Sequence, residues 1–301
     1  MTARDSLPSD HPERVLLSNE VHARPHAALE TPQRATYVAV AVDKEEREPE
    51  FVHLGALCKY FGAVPPSAGA SHFSASMGPI QVRWERHAEF SGYTFHAPGK
   101  SPQPFSEPTV ALLPSGWLAA MPGKTIVAAH AMLVMSVEHA TESEFLGAHF
   151  EHGVIVGAEI GDGAGLAFTD FHIYGDGYAR FLVLDRHLVP RQAGRMLQRL
   201  FEIESYRVMA LMALPIARAQ APRIIAVEQS LAALTQQIAL DDGGDEALLG
   251  KLTKIAADVE STLVANQYQF SAGRAYYDLV RSRIAELQER PLGGFRRSTN
   301  S

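Results

Sequence analysis

The stretch YARFLVLDRHLVPRQAGRMLQRLF, Tyr178–Phe201, holds the change of period that decides the fold. Tyr178 to Leu184 is a short apolar run bounded by turn residues, the pattern of a buried strand. From Pro190 onward the apolar residues Met196, Leu197, Leu200 and Phe201 recur at helical spacing. Proline is tolerated at the first position of a helix, so Pro190 marks the switch. Outward from this point the chain reads as a β-rich segment before it and a helical one after it.

Upstream, YVAVAV (Tyr37–Val42) is a strand that stops at Asp43-Lys44. Phe51–Phe61 carries Val52, Leu54, Leu57, Tyr60 and Phe61 at helical spacing and meets Gly62, a suitable C-terminal cap. His72–Met77, Ile80–Glu85 and Glu89–Phe95 form an expected antiparallel meander turned first at Gly78-Pro79. Ala128–Val137 is a further strand, and Thr141 with Glu144 three residues on signals a short helix to about His149. Val154–Ile160, Gly165–Tyr174 and Tyr178–Leu184 make a second meander, with turns at residues 161–163 and 175–177. The expected class is α+β: a mixed, largely antiparallel sheet domain followed by a long-helix, coiled-coil-like region.

Downstream, Pro190 to Ala219 is apolar on nearly every face, and Pro222 is expected to open the next helix. That helix carries Ile224, Val227, Leu231, Leu234 and Ile238, spaced as in a heptad seam. Residues 241–244 break it. Leu248, Leu252, Ile255 and Val259 continue the pattern on a second helix, and Tyr277, Val280, Ile284 and Leu287 on a third. The expected organisation is an N-terminal arm (1–34), a sheet domain (35–189), a helical region with an antiparallel coiled-coil hairpin (190–290) and a disordered tail (291–301).

The 301 residues carry 27 Lys+Arg against 34 Asp+Glu, a formal charge of −7, which argues against a broad cationic face for nucleic acid. One cysteine, Cys58, excludes an internal disulfide framework and a Cys-rich zinc site. The N-terminus is charged and broken by Pro8 and Pro12, and no apolar run of signal-peptide length follows. The most apolar stretches, Thr125–Val137 and Val208–Ile216, fall short of the roughly 20 residues that span a bilayer. On this reading the chain as given is soluble and cytoplasmic.

LLSNEVHARPHAAL (Leu16–Leu29), FVHLGALCKYFG (Phe51–Gly62), WERHAEFSGYTF (Trp84–Phe95), RLFEIESYRVMALMALP (Arg199–Pro215) and FSAGRAYYDLVRSRIAELQE (Phe270–Glu289) together resemble the DUF3422 family of proteobacterial proteins. The resemblance covers about residues 15 to 289 and supplies an architecture rather than a chemistry. It implies association with the inner membrane through an apolar segment beyond the helices. Arg290–Ser301 is polar and glycine-rich and reads as a departure from that plan. The layout, a sheet domain leading into long helices, is also similar to the cytosolic part of CorA-type magnesium channels, without their Gly-Met-Asn pore signature.

Several clusters could carry chemistry. Glu20, His22 and Arg24 share one face if extended and could grip an anion, or could simply ion-pair the arm to the domain. In WERHAEF, an extended backbone puts Glu85, His87 and Glu89 on one side and Trp84 and Arg86 on the other. That grouping could bind a ligand or metal, or be the polar outer face of a strand. His149 and His152 are weak metal candidates, since a zinc site needs three or four converging ligands. Asp170 and His172 share a face in a strand reading, and Cys58 sits in an apolar helix where it is expected to be buried and inert. Ser115 lacks a nucleophile-elbow frame, and the glycines of residues 157–165 lack a phosphate-binding lysine. No motif demands a cofactor.

These observations lead to a structural or sensory module whose helices self-associate or meet a membrane. The competing expectations are a ligand- or metal-binding enzyme using Glu20, His22, Arg24, Glu85, Arg86, His87 and Glu89, and a cation sensor using Asp241, Asp242, Asp245 and Glu246.

Overall fold

In a computed structural model of the chain, the described residues are 8–14, 26–151, 154–239 and 244–295. Nine strands form one sheet in the order β2-β3-β4-β1-β5-β8-β7-β6-β9. They are β1 Gln33–Ala41, β2 His72–Met77, β3 Ile80–Arg86, β4 Phe90–Pro98, β5 Lys124–Met135, β6 Val156–Ile160, β7 Gly165–Thr169, β8 Ala179–Asp185 and β9 Arg290–Pro291. Among the described residues five α-helices accompany them: α1 Arg47–Phe61, α2 Ser143–Gly147, α3 Pro190–Leu211, α4 Ala213–Ala239 and α5 Asp245–Glu286. The α+β class expected from the sequence is the class observed.

The order strand, helix, three-strand meander occurs twice, as β1-α1-β2-β3-β4 and as β5-α2-β6-β7-β8, with β1 and β5 antiparallel at the centre. The likeness stops at the order. β4 lies antiparallel to β1, whereas β8 lies parallel to β5, the sole parallel pair among the described strands.

Period-two alternation sorts each strand into two faces. Val38 and Val40 of β1, Val42 just after it, Val82 and Trp84 of β3, and Tyr93 and Phe95 of β4 are buried in one cluster with Leu54, Leu57 and Cys58 of α1. Gly62 ends α1 in the left-handed conformation at φ 69°, as its place after Phe61 predicts. A second cluster, including Met132, Leu146, Phe168, Leu182 and Leu184, fills the region around β5, β6, β7 and β8. On the opposite face of the central strands, Phe201 of α3 stacks on Tyr37 with ring centroids 4.9 Å apart and meets Phe181 edge-on.

Several boundaries differ from the sequence reading. Thr141 does not cap α2, which starts two residues later with Glu142 at the cap position and no side-chain bond to the helix. β7 ends at Thr169. There Phe171 turns to φ 51° and the Tyr174 hydroxyl donates to Asp170 Oδ2 at 2.6 Å, so residues 170–174 leave the sheet. Pro222 lies inside α4 instead of opening a helix. It and Arg218, whose carbonyl it leaves unbonded, are both exposed, so water can satisfy that carbonyl. The two expected helices after residue 244 are one, the 42-residue α5. The expected tail opens with β9, which pairs with β6, and Phe295 packs edge-on to Phe168 at 5.5 Å. Apolar Leu292 and Phe295 reach the second cluster, which the polar composition of the tail obscures.

The chain divides into two compact units, and the division falls inside α3. One unit runs to Phe201 and resumes at Leu287, and the other is Glu202–Glu286. In the second unit, Arg283 donates to Glu202 Oε2, Tyr206 meets Tyr276 at 5.9 Å, and a Cβ on Gly273 would come within 3.1 Å of Ala213 Cβ. Within α4 and α5, Leu234 is the single buried residue.

Candidate functional site

The meander β2-β3-β4 turns a polar face away from the α1 cluster. Ile80, Val82 and Trp84 point into that cluster, so Gln81, Arg83 and Glu85 alternate to the other side. Register then sets His96 of β4 opposite Gln81 and Thr94 opposite Arg83, with Ser74 of β2 opposite Arg83 and His72 opposite Glu85. Arg83 donates to Glu85 through Nε at 2.9 Å and Nη2 at 2.8 Å, a bidentate pair in which both side chains are largely buried.

His96 is 6% exposed, and its Nδ1 is buried with no hydrogen-bond partner among the described residues. Burial, and secondarily the Arg83 charge, pushes its pKa down to about 4, so the ring is neutral at pH 7. A cavity of about 200 Å³ lies on this face, lined among others by His26, His72, Ser74, Gln81, Arg83 and His96. Its far wall is residues 26–28. His26 Nδ1 is 2.7 Å from Gln198 Oε1 on α3, and the Leu29 amide donates to the Pro190 carbonyl. Gly194 makes the approach feasible, because a Cβ there would overlap the Ala27 carbonyl oxygen.

On the α1 side lies a buried carboxylate. Glu50 is fully buried, and its Oε1 accepts from Trp84 Nε1 at 2.9 Å and from the Tyr93 hydroxyl at 3.0 Å. Arg47 and Arg86 stand 3.8 and 3.7 Å from Oε2. Arg86 also lies over the Trp84 ring, 4.9 Å from its centroid. Burial first, and then the Glu50 charge, raises the Tyr93 hydroxyl pKa far above its ordinary value, so it remains a donor. This arrangement ties α1 to the meander.

The family model described as "Protein of unknown function (DUF3422)" matches residues 9–300. The chain belongs to the DUF3422 family. No curated protein and no solved structure matches it. The family match runs on through 290–300, the stretch in which the sequence reading placed a departure from the family.

In this DUF3422 chain the expected site residues are dispersed. Glu20, His22, Arg24 and His152 lie outside the described residues, as do Asp241 and Asp242. Glu85 belongs to the cavity face through Arg83, while Arg86 points the other way to Glu50. His87 and Glu89 do not continue that strand face, because β3 ends at Arg86 and both sit in the turn to β4. There the His87 ring stacks on Phe90 at 4.3 Å, and Arg47 Nη2 donates to the carbonyls of His87 and Ala88. His149 Nδ1 lies 2.8 Å from the Phe145 carbonyl one helical turn back, and burial lowers its pKa. Among the described residues no group of three or more His, Cys, Asp or Glu could hold a metal. Asp170 accepts from the His172 backbone amide, not from its ring. Cys58 is fully buried, with its thiol pKa raised by burial. Asp245 and Glu246 form the first turn of α5.

Sequence reasoning overlooked His96, Arg83, Gln81, Glu50 and Arg47. The signal was present for the first three: polar residues at 72, 74 and 76, at 81, 83 and 85, and at 94 and 96 alternate with apolar ones on three successive strands.

Proposed function

We propose that this DUF3422 chain is an interaction module whose helical hairpin, α4 with α5, associates with the hairpin of a second copy. The observation that carries the reading is the exposed apolar surface of these two helices, across which Leu234 alone is buried. At 1.5 Å per residue they are about 40 and 63 Å long, too long to be held by one buried leucine. Half-buried Leu248, Ile255 and Thr262 recur every seven residues along α5. A second stripe, Leu249, Leu252, Val259, Leu263, Phe270 and Tyr277, has heptad spacing too and is exposed along its whole length.

Between α4 and α5 a groove of about 1050 Å³ is edged by Ile224, Val227, Val259, Leu263 and Phe270. A helix with a matching heptad stripe fits such a groove, and a second copy supplies one of the right length. Two hairpins then close as a four-helix bundle with twofold symmetry.

Light scattering on the eluting full chain at tens of micromolar tests this. A two-chain mass is expected, falling to one in a Leu252→Glu, Leu263→Glu variant, whose changes lie on the exposed stripe. A strict monomer for the unaltered chain defeats the reading.

A second reading rests on the helical stretch Pro190–Ala239, which contains an 18-residue window with mean hydropathy 1.2, only 6% of it buried. By length and composition alone that stretch could cross a membrane, in keeping with the membrane association that the family resemblance implies. Flotation of a monomeric chain with phosphatidylglycerol vesicles would favour this over self-association.

A further inference from the structure

Two hairpins can close with their α5 helices parallel or antiparallel. We propose that α5 packs antiparallel on α5 of the second copy, about a twofold axis that crosses between Leu263 and Asn266. The arrangement rests on hairpin association and gives it a direction and a register.

Charge sets the direction. Along one flank of the exposed apolar stripe, Glu246, Thr253, Glu260, Gln267, Arg274 and Arg281 recur every seven residues, and all are exposed. This flank is acidic in the first half of the helix and basic in the second. Antiparallel pairing lays each acidic half along the basic half of the other copy, whereas parallel pairing gathers the like halves at one end. Exposed ion pairs add little affinity, so their part is to select the orientation.

Length and one amide set the register. In an antiparallel seam, facing residues have numbers that add to a constant. With Leu263 opposite Asn266, Val259 falls opposite Phe270 and Leu252 opposite Tyr277. On the flank, Glu246 then comes beside Arg281 and Thr253 beside Arg274. The midpoint of α5, Asp245–Glu286, lies between residues 265 and 266, so this axis overlaps the two helices along nearly their full length. Asn266 is the single amide of the stripe between Leu249 and Tyr277, and its Nδ2 donates to the Thr262 carbonyl at 2.7 Å. The register sets the two Asn266 side chains in neighbouring layers on either side of the axis. A slip of one heptad would part them and lose about 10 Å of overlap.

Cysteine pairs test direction and register together. Cys58 is fully buried and does not compete. Positions 253 and 274 stand about 32 Å apart along one helix, so a short bis-maleimide can join them only between copies. A Thr253→Cys, Arg274→Cys variant of the full chain, which keeps Glu246 and Arg281, is expected to run as a covalent two-chain species on a denaturing gel. Each single variant should stay one chain. Self-cross-linking of either single variant overturns the proposal. A double variant with a two-chain mass by light scattering but no cross-link overturns it too, while hairpin association stands. A one-chain mass for the unaltered protein removes both.

Discussion

Replacing Glu50 with leucine probes the buried carboxylate under α1. Glu50 is fully buried and is the acceptor for both Trp84 Nε1 and the Tyr93 hydroxyl. Two buried donors stripped of their acceptor cost about 1–3 kcal/mol each. Arg47 and Arg86 also lose their counter-charge, but their side chains are 18% and 25% exposed, so hydration limits that loss to about 1 kcal/mol. The leucine side chain returns about 1.5–3 kcal/mol through its own burial. Glu50→Leu is therefore expected to destabilise the protein by about 3 kcal/mol. Glu50→Gln retains the accepting oxygen but turns an amide donor toward two guanidinium groups, and about 1–2 kcal/mol is expected. Urea unfolding followed by tryptophan fluorescence suits the question, because Trp84 and Trp117 both lie in this cluster. If Glu50→Leu fell within about 0.5 kcal/mol of the parent, or Glu50→Gln proved as damaging as leucine, the carboxylate would not be the anchor described.

Acid should weaken the fold through its buried histidines. His96 and His130 both have pKa values lowered to about 4 by burial, so on acidification the unfolded chain takes up their protons first. Their contribution is complete above about pH 6.5 and is lost as pH falls from there toward 4, with a combined slope of up to about 2.7 kcal/mol per pH unit. Urea midpoints between pH 6.5 and 5 should flatten in a His96→Asn, His130→Asn double variant; an unchanged slope would contradict the assignment. Gly194→Ala should cost about 1–3 kcal/mol by forcing residues 26–29 off α3, and protease sensitivity confined to that segment would reveal it. Wild-type resistance in the variant would show that the contact at Ala27 is dispensable.

Much of the sheet was legible because its signals are local. Tyr37–Val42 alternates and ends at charge, and Gly62 and Gly78 both adopt positive φ where a cap and a turn were expected. The parallel alignment of β5 with β8 was not legible, since residues 124–135 and 179–185 look alike in either direction. Pro222 misled because proline is usually a helix start, and its tolerance inside α4 depends on exposure that periodicity does not encode. The site was harder still. WERHAEF drew attention as a dense cluster, yet its residues serve three places: Glu85 the cavity face, Arg86 the Glu50 network and His87 a turn. His96 alternates with Thr94 on one face of β4, but only the register with Gln81 places that face on the cavity.

The sheet unit is discontinuous in the chain, leaving at Phe201 and returning at Leu287, and its last strand is two residues long. During synthesis the helical rods therefore emerge after β6 has paired with β7 but before its outer neighbour β9 exists. Until Arg290 and Pro291 arrive, that edge presents open backbone groups to any passing strand. A ribosome stalled within α5 would thus hold a nascent chain whose β6 border is still bare.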